Sequence, residues 1–256
     1  MDVTKKYIIK KYQNEEVDEV EDLVVCEYPL TIFLNDQEFI TLLCSPKSLK
    51  NLSIGFLYSE GIIKSVSDID NINIDEKMGY AYIKIGNVSK FAKQLYGKRV
   101  ITTGCGKGSI FYNALDSLKC KQFKNNLDID YKKLLDIMKL FNKKSELFLE
   151  TGGVHSVGLI DGDDILYFEE DIGRHNALDK IIGNCLIDNV NIEDKAIITS
   201  GRITSEIVLK CAKLGIGCII SRSAPTNLAI DTGKKLNIEI IGFARGNKLN
   251  VYNKNN

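Results

Sequence analysis

The chain has 256 residues, 44% hydrophobic and 27% charged, enough to bury one large core or two smaller ones. Its 34 Lys and Arg balance 34 Asp and Glu, a net charge of +0 that argues against general electrostatic capture of nucleic acid. No stretch approaches the roughly 20 apolar residues of a membrane span, and the opening MDVTKKYIIKKYQNEEVDEVEDL has no apolar signal core, so a cytoplasmic location is expected. In chain order, TIFLNDQEFITLL (31–43) predicts a hairpin about an Asn-Asp turn, and SPKSLKNLSIGFLYSEGII predicts a helix stopped at Gly61. The acidic SVSDIDNINIDEK reads as a loop, GYAYIKI as a strand, and RVITT as a short strand leading into a glycine-rich turn. YKKLLDIMKLFN (131–142) is an amphipathic helix with Leu134, Leu135, Met138 and Phe141 on one face. VHSVGLIDGDDILYFEED is a hairpin turning at Asp161–Asp164, followed by the helix RHNALDKIIGNCLID. The remainder alternates: strand 196–199, helix SEIVLKCAKL stopped by Gly215, strand CIIS, a helix after Pro225, strand IEIIGFA, a turn and KLNVY. Such alternation predicts a largely parallel sheet covered by helices. A boundary near residue 125 would separate a β-rich part, 1–125, from this α/β part, 126–256.

The seven cysteines include no C-x-x-C pair and no zinc-finger spacing. Cys26, Cys44, Cys185, Cys211 and Cys218 have apolar neighbours and are expected to fill core, whereas Cys120 is uninformative. Cys105, in TTGCGKGS, lies between two glycines with Lys107 two residues on. A free thiol titrates near ~8.5, and an open perch beside positive charge favours the reactive thiolate. A thiol that accepts and hands on sulfur needs little more than that mobility. The plain alternative is a glycine turn with an incidental cysteine.

Only five basic residues are arginine, and the other 29 are lysine. Three arginines follow predicted strands, in SGR (200–202), SRSAP (221–225) and FARGN (243–247), and Arg174 opens a helix in DIGRHN. Ligands of open α/β sheets bind beyond the carboxyl ends of the strands. Forked guanidiniums there suit a phosphate-rich ligand, with Gly173, Gly201 and Gly246 allowing close approach and helix N-termini offering N–H groups. No phosphate-loop or dinucleotide fingerprint is present. The alternative is that glycine and arginine here mark loops and ion pairs. His155 opens a strand and could be a satisfied core histidine. His175, beside Arg174, reads more as a ligand contact, with Glu169, Glu170 and Asp171 near enough to hold it or an arginine.

GFLYSEGII (55–63), the Cys105-Gly106 pair, TGGVHSVGL (151–159), EDIGRHNALDKIIG (170–183), SGRITSEIVLKCAKLGI (200–216), SAPTNLAID (223–231) and GFARGNKLNVY (242–252) run along most of the chain. Together they resemble the formate dehydrogenase accessory sulfurtransferase family (FdhD/NarQ). The resemblance implies a cytidine-deaminase-like three-layer α/β domain with a smaller β-rich N-terminal α+β domain, usually in a homodimer. It implies a sulfurtransferase that takes sulfur from a cysteine desulfurase as a persulfide. The sulfur passes to the molybdenum (or tungsten) bis-guanine-dinucleotide cofactor destined for the formate dehydrogenase apoenzyme. By position, Cys105 matches the persulfide cysteine, and Phe243, Ala244, Arg245, Gly246, Asn247 and Lys248 match the cofactor-binding segment. Arg174, His175, Arg202, Arg222 and Ser223 are further candidate contacts, and no protein-ligated metal is expected. The family's C-G-x-C pair is incomplete, because Gly108 stands at the second cysteine position. That departure favours the alternative of a non-enzymatic chaperone that binds and delivers the cofactor. Zinc-deaminase chemistry is not expected, since H-x-E and C-x-x-C ligands are missing.

Overall fold

A computed structural model describes residues 1–86 and 130–254. Arg99, the strand expected at 99–103, the Cys105 loop and Cys120 lie outside the described residues. Strands β1 (Thr4–Gln13) and β2 (Glu16–Val25) form a long antiparallel ribbon. Its turn residues Asn14 and Glu15 both have positive φ, 53° and 67°. Lysines on β1 oppose acids on β2, as in the register Lys10–Glu19 and Lys11–Asp18, which favours this pairing. Periodicity did not reveal the ribbon because neither face is deeply buried.

Strands β3 (Tyr28–Leu34) and β4 (Gln37–Cys44) make the expected hairpin, with Asn35 and Asp36 at φ 49° and 64°. Helix α1 (Leu49–Ser59) ends before Gly61, whose φ of 73° suits glycine. Strands β5 (Ile69–Asp75) and β6 (Tyr80–Ile85) complete a four-stranded sheet in the order β4-β3-β6-β5. The stretch expected to be an acidic loop is therefore a short 3-10 turn and an edge strand. Its Asn and Asp residues mask the Ile72 and Ile74 alternation, and pairing with β6 overrides their turn preference.

Helix α2 (Tyr131–Lys144) begins at Asp130, whose carboxylate caps the Lys132 and Lys133 N–H groups. The short α3 (Glu146–Thr151), not expected from sequence, has its first N–H groups from Leu147 and Phe148 held by the Glu170 carboxylate at 3.2 and 3.1 Å. Then follow β7 (His155–Asp161), β8 (Asp164–Asp171), α4 (Arg174–Ile187), β9 (Lys195–Thr199), α5 (Ser205–Leu214), β10 (Cys218–Ser221), α6 (Asn227–Leu236), β11 (Glu239–Arg245) and β12 (Lys248–Asn253). They build a six-stranded sheet, β12-β11-β10-β9-β7-β8. Only β9, β10 and β11 run parallel, so the sheet is mixed rather than largely parallel. The tight turns at both hairpins permit only antiparallel return. Ile197, Ile219 and Ile240 pack toward α4–α6, while Ile198, Ile220 and Ile241 pack toward α2. Burial on both faces explains the continuous apolar strand sequences. Cys44, Cys185, Cys211 and Cys218 are buried as expected, but Cys26 is only half-buried, at the end of the ribbon.

Two joints connect the sheets. Helices α1 and α4 cross at glycines: a Cβ on Gly55 would lie 1.8 Å from the Asp179 carbonyl oxygen, and one on Gly183 2.0 Å from that of Asn51. Beside the crossing, the buried Lys180 Nζ stands 2.7 Å from the equally buried Asp171 Oδ2. That oxygen also accepts from Ser45 N and Oγ, and Asp171 Oδ1 accepts from Gly173 N and Asn176 Nδ2. Lys180 also donates to Ser45 and to the Glu170 carbonyl. Of the three acids expected near the site, Asp171 thus holds Lys180, Glu170 caps α3, and Glu169 accepts from Ser48 and Asn184. None holds an arginine or histidine.

Gly55→Ala or Gly183→Ala should cost about 1–3 kcal/mol or more through overpacking, measured by chemical denaturation. Lys180→Met should cost roughly 3–5 kcal/mol because it strands a buried carboxylate, and adding Asp171→Leu should recover part of that loss in the same assay.

Candidate functional site

The carboxyl ends of β9, β10 and β11 are tied together by short-range bonds. Ser200 N donates to the Ser156 carbonyl, and Ser200 Oγ accepts from Ser156 N at 2.9 Å, pinning the end of β9 to β7. Ser221 Oγ donates to the Gly201 carbonyl at 2.6 Å and accepts from Ser223 N at 2.8 Å. Arg222 N donates to the Thr199 carbonyl, and Phe243 N to that of Ser223, both at 3.0 Å. Phe243 adopts φ 52°, an outlier for an aromatic residue, at a register shift between β11 and β12. The Arg245 guanidinium lies 5.5 Å from the Phe243 ring centre, within cation–π range.

These ends enclose an open pocket of about 400 Å³, within the size range of small-molecule sites. Phe148 and residues 152–154, at the α3–β7 corner, form part of its wall; His155, Ser200, Arg222, Ser223, Phe243 and Arg245 also line it. Gly153 keeps the corner tight, since a Cβ there would approach Val25 Cγ1 to 2.6 Å.

Of the residues expected to bind ligand, the pocket gathers Arg222, Ser223, Phe243 and Arg245. Ala244 does not line the pocket: alternation turns its side chain into the core against α2. Gly246, Asn247 and Lys248 are exposed at the β11–β12 turn, and Gly246 has φ 60°. Arg174, His175 and Arg202 do not line the pocket. His175 Nε2 instead lies 3.1 Å from Glu206 Oε2. Gly173 and Gly201, expected to admit a ligand, serve the chain itself. Gly173 N donates to Asp171, and a Cβ on Gly201 would approach the Arg174 stem to 3.1 Å. The residue whose role the sequence understated is His155, with Gly152–Gly153 just before it as the available signal.

His155 is close to both arginine groups. It lines the pocket with Arg222 and Arg245, it flanks Gly201 together with the Arg174 stem, and the charges of Arg174 and Arg202 act on it. Burial first, then the charges of Arg174, Arg202 and His175, push its pKa below the usual histidine value, with Asp171 opposing. Burial and Arg202 likewise push the Arg174 guanidinium down, with Glu206 opposing. Contact with His175 holds the Glu206 carboxyl low despite its burial. Among the described residues, no carboxylate lies within ion-pair distance of Arg174, Arg202, Arg222 or Arg245. The edge is thus positive and suited to anions. Among the described residues, no group of three or more His, Cys, Asp and Glu could hold a metal ion, and no helix is long and apolar enough to cross a membrane.

Fold and site define a mixed α/β protein with a cationic pocket at the carboxyl edge of its larger sheet. A sequence profile of the FdhD/NarQ family matches residues 25–256. The chain is 45% identical over 254 residues to the sulfur carrier protein FdhD of Listeria innocua, covering 98% of this chain and 97% of that one. It is 44% identical over 242 residues to the sulfur carrier protein FdhD of Bacillus subtilis, covering 94% and 92%. A crystal structure from Desulfotalea psychrophila, described as a formate dehydrogenase accessory protein, shares the fold with a TM-score of 0.79 at 24% identity, over 98% and 97% of the two chains. The chain belongs to the FdhD/NarQ family.

The His155 shift has a pH signature. Its folded pKa is below its unfolded value, so the unfolded chain binds the extra proton as pH falls through about 6.5. Stability should therefore drop as pH falls from about 7 toward the folded value, and His155→Gln should flatten that slope, measured as the thermal midpoint against pH.

Proposed function

We propose that this protein is a sulfur carrier in formate dehydrogenase maturation, acting as a sulfurtransferase through Cys105. Its relatives' names support the sulfur-carrier role. Sorting of the thiols by burial carries the assignment to Cys105. Burial pushes Cys44 and Cys185 up to about 12, and pushes Cys211 and Cys218 well above the usual thiol value. Thiols held protonated inside a core do not act as nucleophiles. Cys26, Cys105 and Cys120 remain, and only Cys105 has the glycine-flanked, lysine-adjacent setting of a reactive thiol.

In this reading, the Cys105 thiolate attacks the outer sulfur of a persulfide on a cysteine desulfurase. A new S–S bond forms, the old one breaks, and the donor's cysteine leaves as a thiolate. The substrate that receives the sulfur is the molybdenum or tungsten bis-guanine-dinucleotide cofactor, bound at the arginine-lined edge. Arg222 and Arg245 offer forked donors to phosphate, and Phe243 offers a ring face. The loaded cofactor then passes to the formate dehydrogenase apoenzyme. A homodimer in the cytoplasm, a cytidine-deaminase-like class for the six-stranded domain, and a division near residue 125 belong to the same proposal. The separate cores beneath the two sheets support that division. The second reading, a delivery chaperone without sulfur transfer, is favoured by Gly108 at the usual second cysteine position.

Intact-protein mass spectrometry after incubation with a cysteine desulfurase, cysteine and pyridoxal phosphate should show a gain of one sulfur. Cys105→Ser should abolish the gain and Cys211→Ala should keep it. An equal gain in wild type and Cys105→Ser, or none in either, would favour the delivery reading. Arg245→Ala should weaken GDP binding by about tenfold, measured by calorimetry.

A further inference from the structure

We propose that the edge is bipartite, with a second subsite where Arg174, Arg202 and His155 meet around Gly201, and that this subsite takes a phosphoryl or similar tetrahedral oxyanion. Its coupling to the pocket rests on the nucleotide reading above, but the subsite itself does not.

Arg174 and Arg202 are close enough for one guanidinium to depress the other, an arrangement that costs energy unless an anion is shared between them. Neither has a carboxylate within ion-pair distance among the described residues. Glu206, which acts on Arg174, is already in contact with His175 at 3.1 Å. Among the described residues, Arg174 Nε is buried without a hydrogen-bond partner. A buried donor of this kind is normally satisfied, and an oxyanion supplies the missing acceptor. Gly201 fixes the geometry, since a Cβ there would lie 3.1 Å from Arg174 Cβ and 3.6 Å from His155 Nδ1.

His155 joins the subsite to the pocket. The charged groups that act on it are Arg174 and His175 from α4, Arg202 from the β9–α5 loop and Asp171 from β8, and Arg222 and Arg245 share the pocket wall with it. Asp171 is committed to Lys180 at 2.7 Å. The surroundings are therefore net positive and hold the ring's pKa below the usual histidine value when the site is empty. An oxyanion between the guanidiniums reverses that balance, so the ring takes up a proton on binding.

The test is an NMR titration of the His155 ring from about pH 5 to pH 8, spanning the ordinary histidine range, without ligand and with inorganic phosphate, GMP or GDP. The chain has two histidines, so His155→Gln assigns the signal. Phosphate should raise the His155 pKa, and Arg202→Ala, a change at an exposed side chain, should remove that effect while itself raising the empty-site pKa, because one of the charges that depresses it is gone. If the oxyanion is the nucleotide's own distal phosphate, GDP should displace phosphate and GMP should not. If it is a free oxyanion, phosphate should bind alongside GDP. Both results support the subsite and identify its source. A His155 titration unmoved by phosphate and by GDP, or moved equally in Arg202→Ala, overturns the proposal. A phosphate response with no binding of either nucleotide keeps the subsite and overturns the nucleotide reading.

Discussion

The buried contact between Lys180 and Asp171 is the constraint on which both sheets and the site depend. Asp171 ends β8, Lys180 lies just under two turns into the packed helix, and Ser45 lies just beyond β4. A charged pair removed from water is costly unless its other hydrogen-bonding capacity is filled. Here Ser45, Gly173, Asn176 and the Glu170 carbonyl fill it. Asp171 is also the strand partner of His155 and stands three residues before Arg174. The network that joins the two sheets therefore also sets where the helix begins and where the site's histidine and first arginine stand.

The site inverts this logic. Inside the joint, charge and donor are matched group for group, whereas at the sheet edge four arginines have no acid in ion-pair distance among the described residues. The chain meets its general need for positive charge with lysine, and four of its five arginines stand at this edge. A planar fork can bind an oxyanion through two parallel bonds, which an ammonium cannot. The strained Phe243 fits the same picture, because its left-handed backbone is held by the bond to Ser223 and by the β11–β12 irregularity.

Packing also sorts the cysteines. The strand and helix positions that build the cores hold Cys44, Cys185, Cys211 and Cys218 as protonated, inert thiols. Chemistry based on a thiolate is thereby confined to cysteines outside those cores.

Much of the larger sheet was legible in sequence because its signals are local. The runs at 196–199, 218–221 and 239–244 are apolar on both faces, glycine stops one helix at Gly215, and an arginine follows each parallel strand. The ribbon, β5 and α3 were not legible. Their side chains are largely exposed or turn-forming, and only partners far along the chain hold them in place: β1 pairs with β2, β5 with β6, and Glu170 caps α3. Sequence likewise marked Arg174, Arg202, Arg222 and Arg245 as one set but could not divide it. The order β11-β10-β9-β7 brings Phe243, Arg245, Arg222, Ser200 and His155 to one pocket and leaves Arg174 and Arg202 out of its lining. Strand alternation sends Ala244 into the core between two pocket residues. The sequence by itself determined which chemistry the chain carries, because residue type and short spacing are written locally. Which groups share a site was decided only by the tertiary structure, because strand order and register join residues distant in the chain.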